Sequence, residues 1–105
     1  MATGKIFSGV CGFTIEVKAK KRENGKIKME IKSDCPHYQK INEELKEVDA
    51  FKEIFNKLHS GEVYQIFAKH SPHPTCPGIS GMLKTIEVEA GLALPKQVII
   101  ELYRD

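Results

Sequence analysis

The stretch Phe13-Thr-Ile-Glu-Val-Lys-Ala-Lys20, followed by Asn24-Gly25 and then Lys26-Ile-Lys-Met-Glu-Ile-Lys-Ser33, decides the fold of this chain. Phe13, Ile15, Val17 and Ala19 alternate with Thr14, Glu16, Lys18 and Lys20, the period-2 pattern of a strand with one buried face. Ile27, Met29 and Ile31 repeat it, and Asn-Gly between two such runs is a strong turn signal. A hairpin follows, and its register can be deduced. A two-residue loop of Asn24 and Gly25 pairs odd positions with even ones and sets apolar side chains against charged ones. A three-residue loop of Glu23, Asn24 and Gly25, with Gly25 left-handed, instead pairs Val17 with Ile31, Ile15 with Ser33 and Phe13 with Cys35. The outer face then agrees. Glu16 falls opposite Lys32 and Lys18 opposite Glu30, cross-strand pairs worth ~0.2–1 kcal/mol each. Extended further, this register sets Cys11 opposite His37 and diagonal to Cys35, so that two thiols share one face.

Outward from the hairpin, Lys5 to Val10 starts a strand that Gly9 and Gly12 kink around Cys11. Pro36 suits a first helical turn, and Tyr38, Ile41, Leu45 and Val48 recur at helical spacing to about Glu47. Asp49 caps a second helix whose stripe of Phe51, Ile54, Phe55 and Leu58 ends at Ser60-Gly61. Glu62 to Lys69 fits both periods. It is read as a helix capped by Ser60, with a strand as the alternative. Thr75 caps a last helix from near Pro77, lined by Ile79, Met82, Leu83, Ile86 and Ala90 and stopped by Gly91. The run Gln97-Val-Ile-Ile-Glu-Leu-Tyr103 reads as a strand added to the hairpin's sheet. The expected fold is therefore a two-layer α+β domain spanning residues 1–105. Its small, mainly antiparallel sheet, the N-terminal hairpin plus a C-terminal strand, is covered on one face by three or four helices.

Composition narrows the function classes. The 105 residues, 41% apolar and 29% charged, suit one soluble domain, and no apolar run approaches the roughly 18 residues needed to span a bilayer. Met1 to Lys5 has no secretory pattern, so a cytosolic location is expected, where disulfides are rare. Sixteen basic against fourteen acidic residues leave a net charge of +2, too little to require a nucleic-acid partner. Glycine-rich phosphate and dinucleotide fingerprints are absent from the sequence.

Three cysteines, Cys11, Cys35 and Cys76, carry the sharpest signal. No Cys-x-x-Cys pair occurs, so any shared site must be assembled by folding. Cys76 lies in His70-Ser-Pro-His-Pro-Thr-Cys-Pro-Gly78, where three prolines stiffen the approach to a helix. Thiolate and imidazole are the ligands that zinc and iron-sulfur clusters prefer, so three thiols with His70, His73 or His37 as a fourth ligand make a candidate metal centre. Cys35 and Cys76 are each followed by proline, as a cluster cysteine can be, and Cys11 sits between glycines that let a cofactor approach.

Competing readings stand beside this one. Cytosolic cysteines are commonly small buried hydrophobes, and Cys11 and Cys35 lie on the apolar parity of their strands. The chain is then a cofactor-free interaction module. Its basic hairpin tip, Lys20 opposite Lys28 and Arg22 opposite Lys26 with Lys21 alongside, would meet an acidic protein partner or nucleic acid, although no aromatic interleaves it and a solvated tip is the commoner case. A third reading makes Cys76 a nucleophile at a helix N-terminus with His73 or His70 as base. His59 reads as an ordinary helix-end residue, and Lys84, Glu87 and Glu89 as surface charges.

The stretch from His70 to Pro95, above all Cys76-Pro77, Gly81-Met-Leu-Lys-Thr-Ile-Glu87 and Gly91-Leu-Ala-Leu-Pro95, resembles small uncharacterised proteins of anaerobic bacteria and methanogenic archaea. The likeness extends over most of the chain and implies no activity. An anaerobic setting would suit an oxygen-sensitive cluster.

Overall fold

The computed structural model describes residues 1–70 and 73–105, so the stiffness expected of Pro72 lies outside the described residues. Strands β1 (Ala2–Phe7), β2 (Thr14–Lys21) and β3 (Ile27–Ser33) form an antiparallel meander, and a two-residue β4 (Glu47–Val48) pairs with the start of β3. Among the described residues, four helices complete the α+β fold: α1 (Pro36–Glu44), α2 (Ala50–Ile54), α3 (Glu62–His70) and α4 (Gly78–Glu89). The β2–β3 register is the one deduced from the charge pattern, with Val17 opposite Ile31, Glu16 opposite Lys32 and Lys18 opposite Glu30. Gly25 takes φ +83° and closes the three-residue loop, its N–H donating to the Arg22 carbonyl at 3.0 Å.

One face of this sheet holds the core. Ile15, Val17, Ala19, Ile27, Met29 and Ile31 are buried beneath the helices, while the charged residues between them face water. Helix α4 lies across β1 and β2, and α1 across β3. Close approach of α4 rests on two small residues. A Cβ on Gly81 would collide with Ile6, and one on Gly4 with Thr85. Glu89, at the other end of α4, accepts the Lys21 N–H at 2.7 Å. Contacts from Gly81 to Ile6, Thr85 to Gly4 and Glu89 to Lys21 run α4 antiparallel to β1. Its N-terminus therefore sits at the end of the sheet where the β1–β2 turn lies and β3 stops.

The free edge of β3 is closed by groups other than a long strand. The Met29 N–H donates to the Lys46 carbonyl at 2.9 Å and the Ile31 N–H to Asn42 Oδ1 at 2.9 Å. No helix is long and apolar enough to cross a membrane among the described residues.

Several local expectations change. The first strand is Ala2–Phe7, and Gly9 to Gly12 form a tight turn rather than an extension of it, with both glycines at positive φ and the Gly12 N–H on the Gly9 carbonyl at 2.9 Å. Because β2 turns away there, its ladder with β3 ends at Ile15 and Ser33, and Cys11 does not pair with His37. Val48 is a strand residue rather than the last of a helical stripe, since α1 ends at Glu44 and the chain returns to pair Val48 with Ile27. Asp49 does cap α2, accepting the Phe51 N–H at 3.1 Å, but the helix stops after Ile54 and leaves Phe51, Phe55 and Leu58 exposed.

Glu53, just before that stop, is committed to the next helix. Its carboxylate accepts the N–H groups of Glu62 at 2.9 Å and Val63 at 2.7 Å, capping α3 in place of the expected Ser60. Glu62–His70 is a helix, as read from its stripe of Val63, Ile66 and Phe67. Burial raises the Glu53 carboxyl above its ordinary pKa even though both backbone bonds pull it down. Glu53→Ala is accordingly expected to cost about 1 kcal/mol in urea melts, the usual size of a lost cap. Glu53→Gln should recover only part of that loss, since it keeps one acceptor oxygen but turns its amide NH2 toward the other backbone N–H.

At α4 the flanking residue is Pro77, without a side-chain cap, so Thr75 does not serve as one. Gly91, at φ +76°, ends the helix as expected, with the Gly91 N–H on Val88 and the Leu92 N–H on Glu87 in a Schellman arrangement. Residues 94–105 then form no strand, and Val98, Ile99, Ile100, Leu102 and Tyr103 are exposed. The expected C-terminal strand is corrected on this point: β propensity makes a segment ready to pair, but a strand exists only against an edge that the chain reaches.

Candidate functional site

Three cysteine-bearing segments meet at one end of the sheet. Cys11 is in the β1–β2 turn, Cys35 follows β3, and Cys76 precedes α4, whose N-terminus points to that same end. The convergence is a consequence of topology. An antiparallel meander returns every second connection to the same end, and α4 has to run back along β1 to bury Met82 and Ile86.

Cys35 is buried and occupies the N-cap of α1, where its carbonyl accepts the N–H groups of Tyr38 and Gln39. Proline at the next position fits the first turn, which needs no N–H donor there. That geometry turns Tyr38 inward. Its ring is 3% exposed, edge-on to Phe67 at 5.6 Å between centroids and against Gly78, where a Cβ would overlap the phenol. The Tyr38 hydroxyl lies 2.9 Å from the Cys76 Sγ. Burial first, then the hydrogen bond to Cys76 and the nearness of both Cys76 and Cys35, push the phenol well above its ordinary pKa. The hydroxyl therefore keeps its proton, and either it or the Cys76 thiol can donate in this contact.

Imidazoles rim the same corner. His37, in the first turn of α1, meets His73 edge-on with ring centroids 6.2 Å apart, and the His73 carbonyl accepts the Cys76 N–H at 3.2 Å. His70 is directed elsewhere. Its Nε2 lies 2.9 Å from Glu44 Oε1, an oxygen shared with Lys69 Nζ at 3.0 Å, beside the C-terminus of α1. Those bonds, His70 first and Lys69 second, hold the Glu44 carboxyl below its ordinary value. Cys11 is exposed in its turn.

The structure thus sets Cys76 against the Tyr38 hydroxyl with Cys35 nearby, and pairs His37 with His73 on the same two segments, with Cys11 on an adjacent turn and His70 diverted. Among the described residues, no three His, Cys, Asp or Glu side chains stand close enough together to hold a metal ion. Tyr38 was legible only as a member of an apolar stripe. A signal was present all the same, because a tyrosine on a buried helical face needs a partner for its hydroxyl.

The basic tip keeps its expected register, Lys20 opposite Lys28, but is partly neutralised, with Arg22 3.6 Å from Glu47. Residues 2–102 match the model of a family described as "Family of unknown function (DUF6951)". No curated protein and no solved structure matches the chain.

Proposed function

Because the chain belongs to the DUF6951 family of unknown function, its own geometry has to carry a reading, and we propose that the corner around Tyr38 is a soft-metal site. Zinc or an iron-sulfur cluster would be held by Cys35 and Cys76, with His37 and His73 or the nearby Cys11 completing the donor set. The single observation behind this reading is that two segments about 38 residues apart set Cys76 against the Tyr38 hydroxyl with Cys35 nearby and bring His37 and His73 edge-on to each other. Ligation requires side chains to swing together. A displaced rotamer costs about 0.5–1.5 kcal/mol, whereas structural zinc binding supplies roughly 10–16 kcal/mol, so a few such movements are easily offset. Tyr38 would then donate to a metal-bound sulfur, a bond that orients a ligand and tunes its charge.

The test is anaerobic purification, metal analysis and a visible spectrum, followed by titration of the apo protein with Zn²⁺ and Co²⁺. Stoichiometric zinc, or iron with sulfide and a visible charge-transfer band, is expected. Cys35→Ser/Cys76→Ser should abolish it, while Cys11→Ser reports whether the turn contributes a ligand. Protein that is colourless, metal-free and unable to take up Co²⁺ would end the metal reading.

A second reading rests on the 2.9 Å Tyr38–Cys76 contact. In it Cys76 is a reactive thiol and Tyr38 a positioned proton donor. Co²⁺ titration with alkylation separates the two, since a metal-binding role predicts stoichiometric Co²⁺ that protects Cys76 from alkylation, and a thiol role predicts no uptake together with a rate of Cys76 alkylation that Tyr38→Phe changes.

A further inference from the structure

We infer that the segment Gln97–Tyr103 is an exchange strand that pairs antiparallel with the β1 edge of a second copy of this chain. Two unsatisfied features of the molecule fit each other. The first is the segment: without regular secondary structure or a strand partner, and carrying five large exposed side chains, Val98 at 57%, Ile99 at 67%, Ile100 at 69%, Leu102 at 87% and Tyr103 at 83%. Its tyrosine hydroxyl donates to Glu101 at 2.9 Å, as residues two apart do on one face of an extended chain. The family match also runs through residue 102, so this apolar run falls within the family's shared pattern.

The second feature is β1. It is the outermost strand of the sheet, and while β3's far edge is closed by Lys46 and Asn42, β1 has no strand on its outer side among the described residues. An uncovered edge of six residues is a template for strand addition. Its faces are distinct. Ala2, Gly4 and Ile6 are half-buried on the helix side, and Thr3, Lys5 and Phe7 are exposed on the other.

Charge picks the register. Setting Glu101 opposite Lys5 in the antiparallel sense also places Ile99 beside Phe7 and Tyr103 beside Thr3 on the outer face. The inner face then receives Ile100 beside Ile6 and Leu102 beside Gly4, extending the apolar layer under α4. One pairing thus covers exposed Phe7, neutralises Lys5 and buries the two aliphatics that face the helices. Within a single copy the segment stands clear of the edge, even though that edge is free. A reciprocal exchange between two copies closes both edges and has the self-complementary form of a two-fold dimer.

Sedimentation or light scattering of the full chain at ~100 μM, a concentration at which even a micromolar dimer is assembled, tests this. A mass twice the 11.8 kDa of the chain is expected. Ile99→Pro/Ile100→Pro should return it to monomer with the same melting curve for the core, because one of any two adjacent strand residues points its N–H at the partner. Lys5→Glu should weaken the dimer about tenfold through two symmetric repulsive pairs, and Lys5→Glu/Glu101→Lys should restore it. A full chain that is monomeric, whether the segment stays free or folds back on its own β1, overturns the inference. So does a dimer indifferent to both the proline and the charge variants, which would place the interface on another surface.

Discussion

Gly78→Ala is expected to lower stability by about 1–3 kcal/mol, the range for overpacking a filled interior, and to break the contact between Tyr38 and Cys76. Helix propensity alone argues the other way, since alanine gains up to about 1 kcal/mol over glycine in a helix. Sterics win here because the atoms met by the new Cβ are the phenol oxygen and ring of Tyr38, which cannot step aside. That ring is wedged against Phe67 on α3 and is almost wholly buried. Thermal and urea melts should show a drop of about 4–8 °C per kcal/mol for a domain of this size. The same substitution in a Tyr38→Phe background should cost less, because the hydroxyl is the first atom encountered. A wild-type melting curve for Gly78→Ala would mean that Tyr38 does not pack where the structure has it.

Ile86→Ala should cost still more, about 2–5 kcal/mol as a large-to-small change at a fully buried site. Against a typical total of about 5–15 kcal/mol, this removes a large part of the molecule's stability. Phe55→Ala, despite the larger side chain, should change stability by no more than about 0.5 kcal/mol, because Phe55 is 67% exposed and touches mainly Phe51, stacked on it with centroids 5.8 Å apart. The comparison is informative because the sequence ranks the two residues alike, each as a member of a helical apolar stripe. Urea midpoints of the two variants measure the difference directly.

That contrast shows where reading the sequence succeeds. The β2–β3 hairpin was fully legible: side chains alternate with period two, and the three-residue loop, unlike the two-residue one, lets Glu16 meet Lys32 and Lys18 meet Glu30. The α4 stripe and its Gly91 stop were legible for the same reason, since they depend on neighbours within a few residues. The stripe of Phe51, Phe55 and Leu58 has equally good periodicity, but the helix stops after Ile54 while Glu53 reaches forward to cap α3. No local pattern announces a carboxylate that caps another helix. The last strand misleads in a related way, because Gln97–Tyr103 has every intrinsic preference for β structure and no edge beside it.

For the candidate site the division is similar. The sequence by itself determined which residues have the chemistry, three thiols and the histidines around them, and through the hairpin register that Cys11 and Cys35 leave the sheet at one end. Only the tertiary structure decided that α4 runs antiparallel to β1 and so brings Cys76 to that end, that Tyr38 rather than a histidine touches its sulfur, and that His70 goes to Glu44. Register is set by side-chain alternation along neighbouring strands and can be worked out from the chain. The direction and depth of a helix packed on a sheet depend on which small residues admit it, here Gly4, Gly78 and Gly81, and a glycine shows its purpose only once the residue opposite is known.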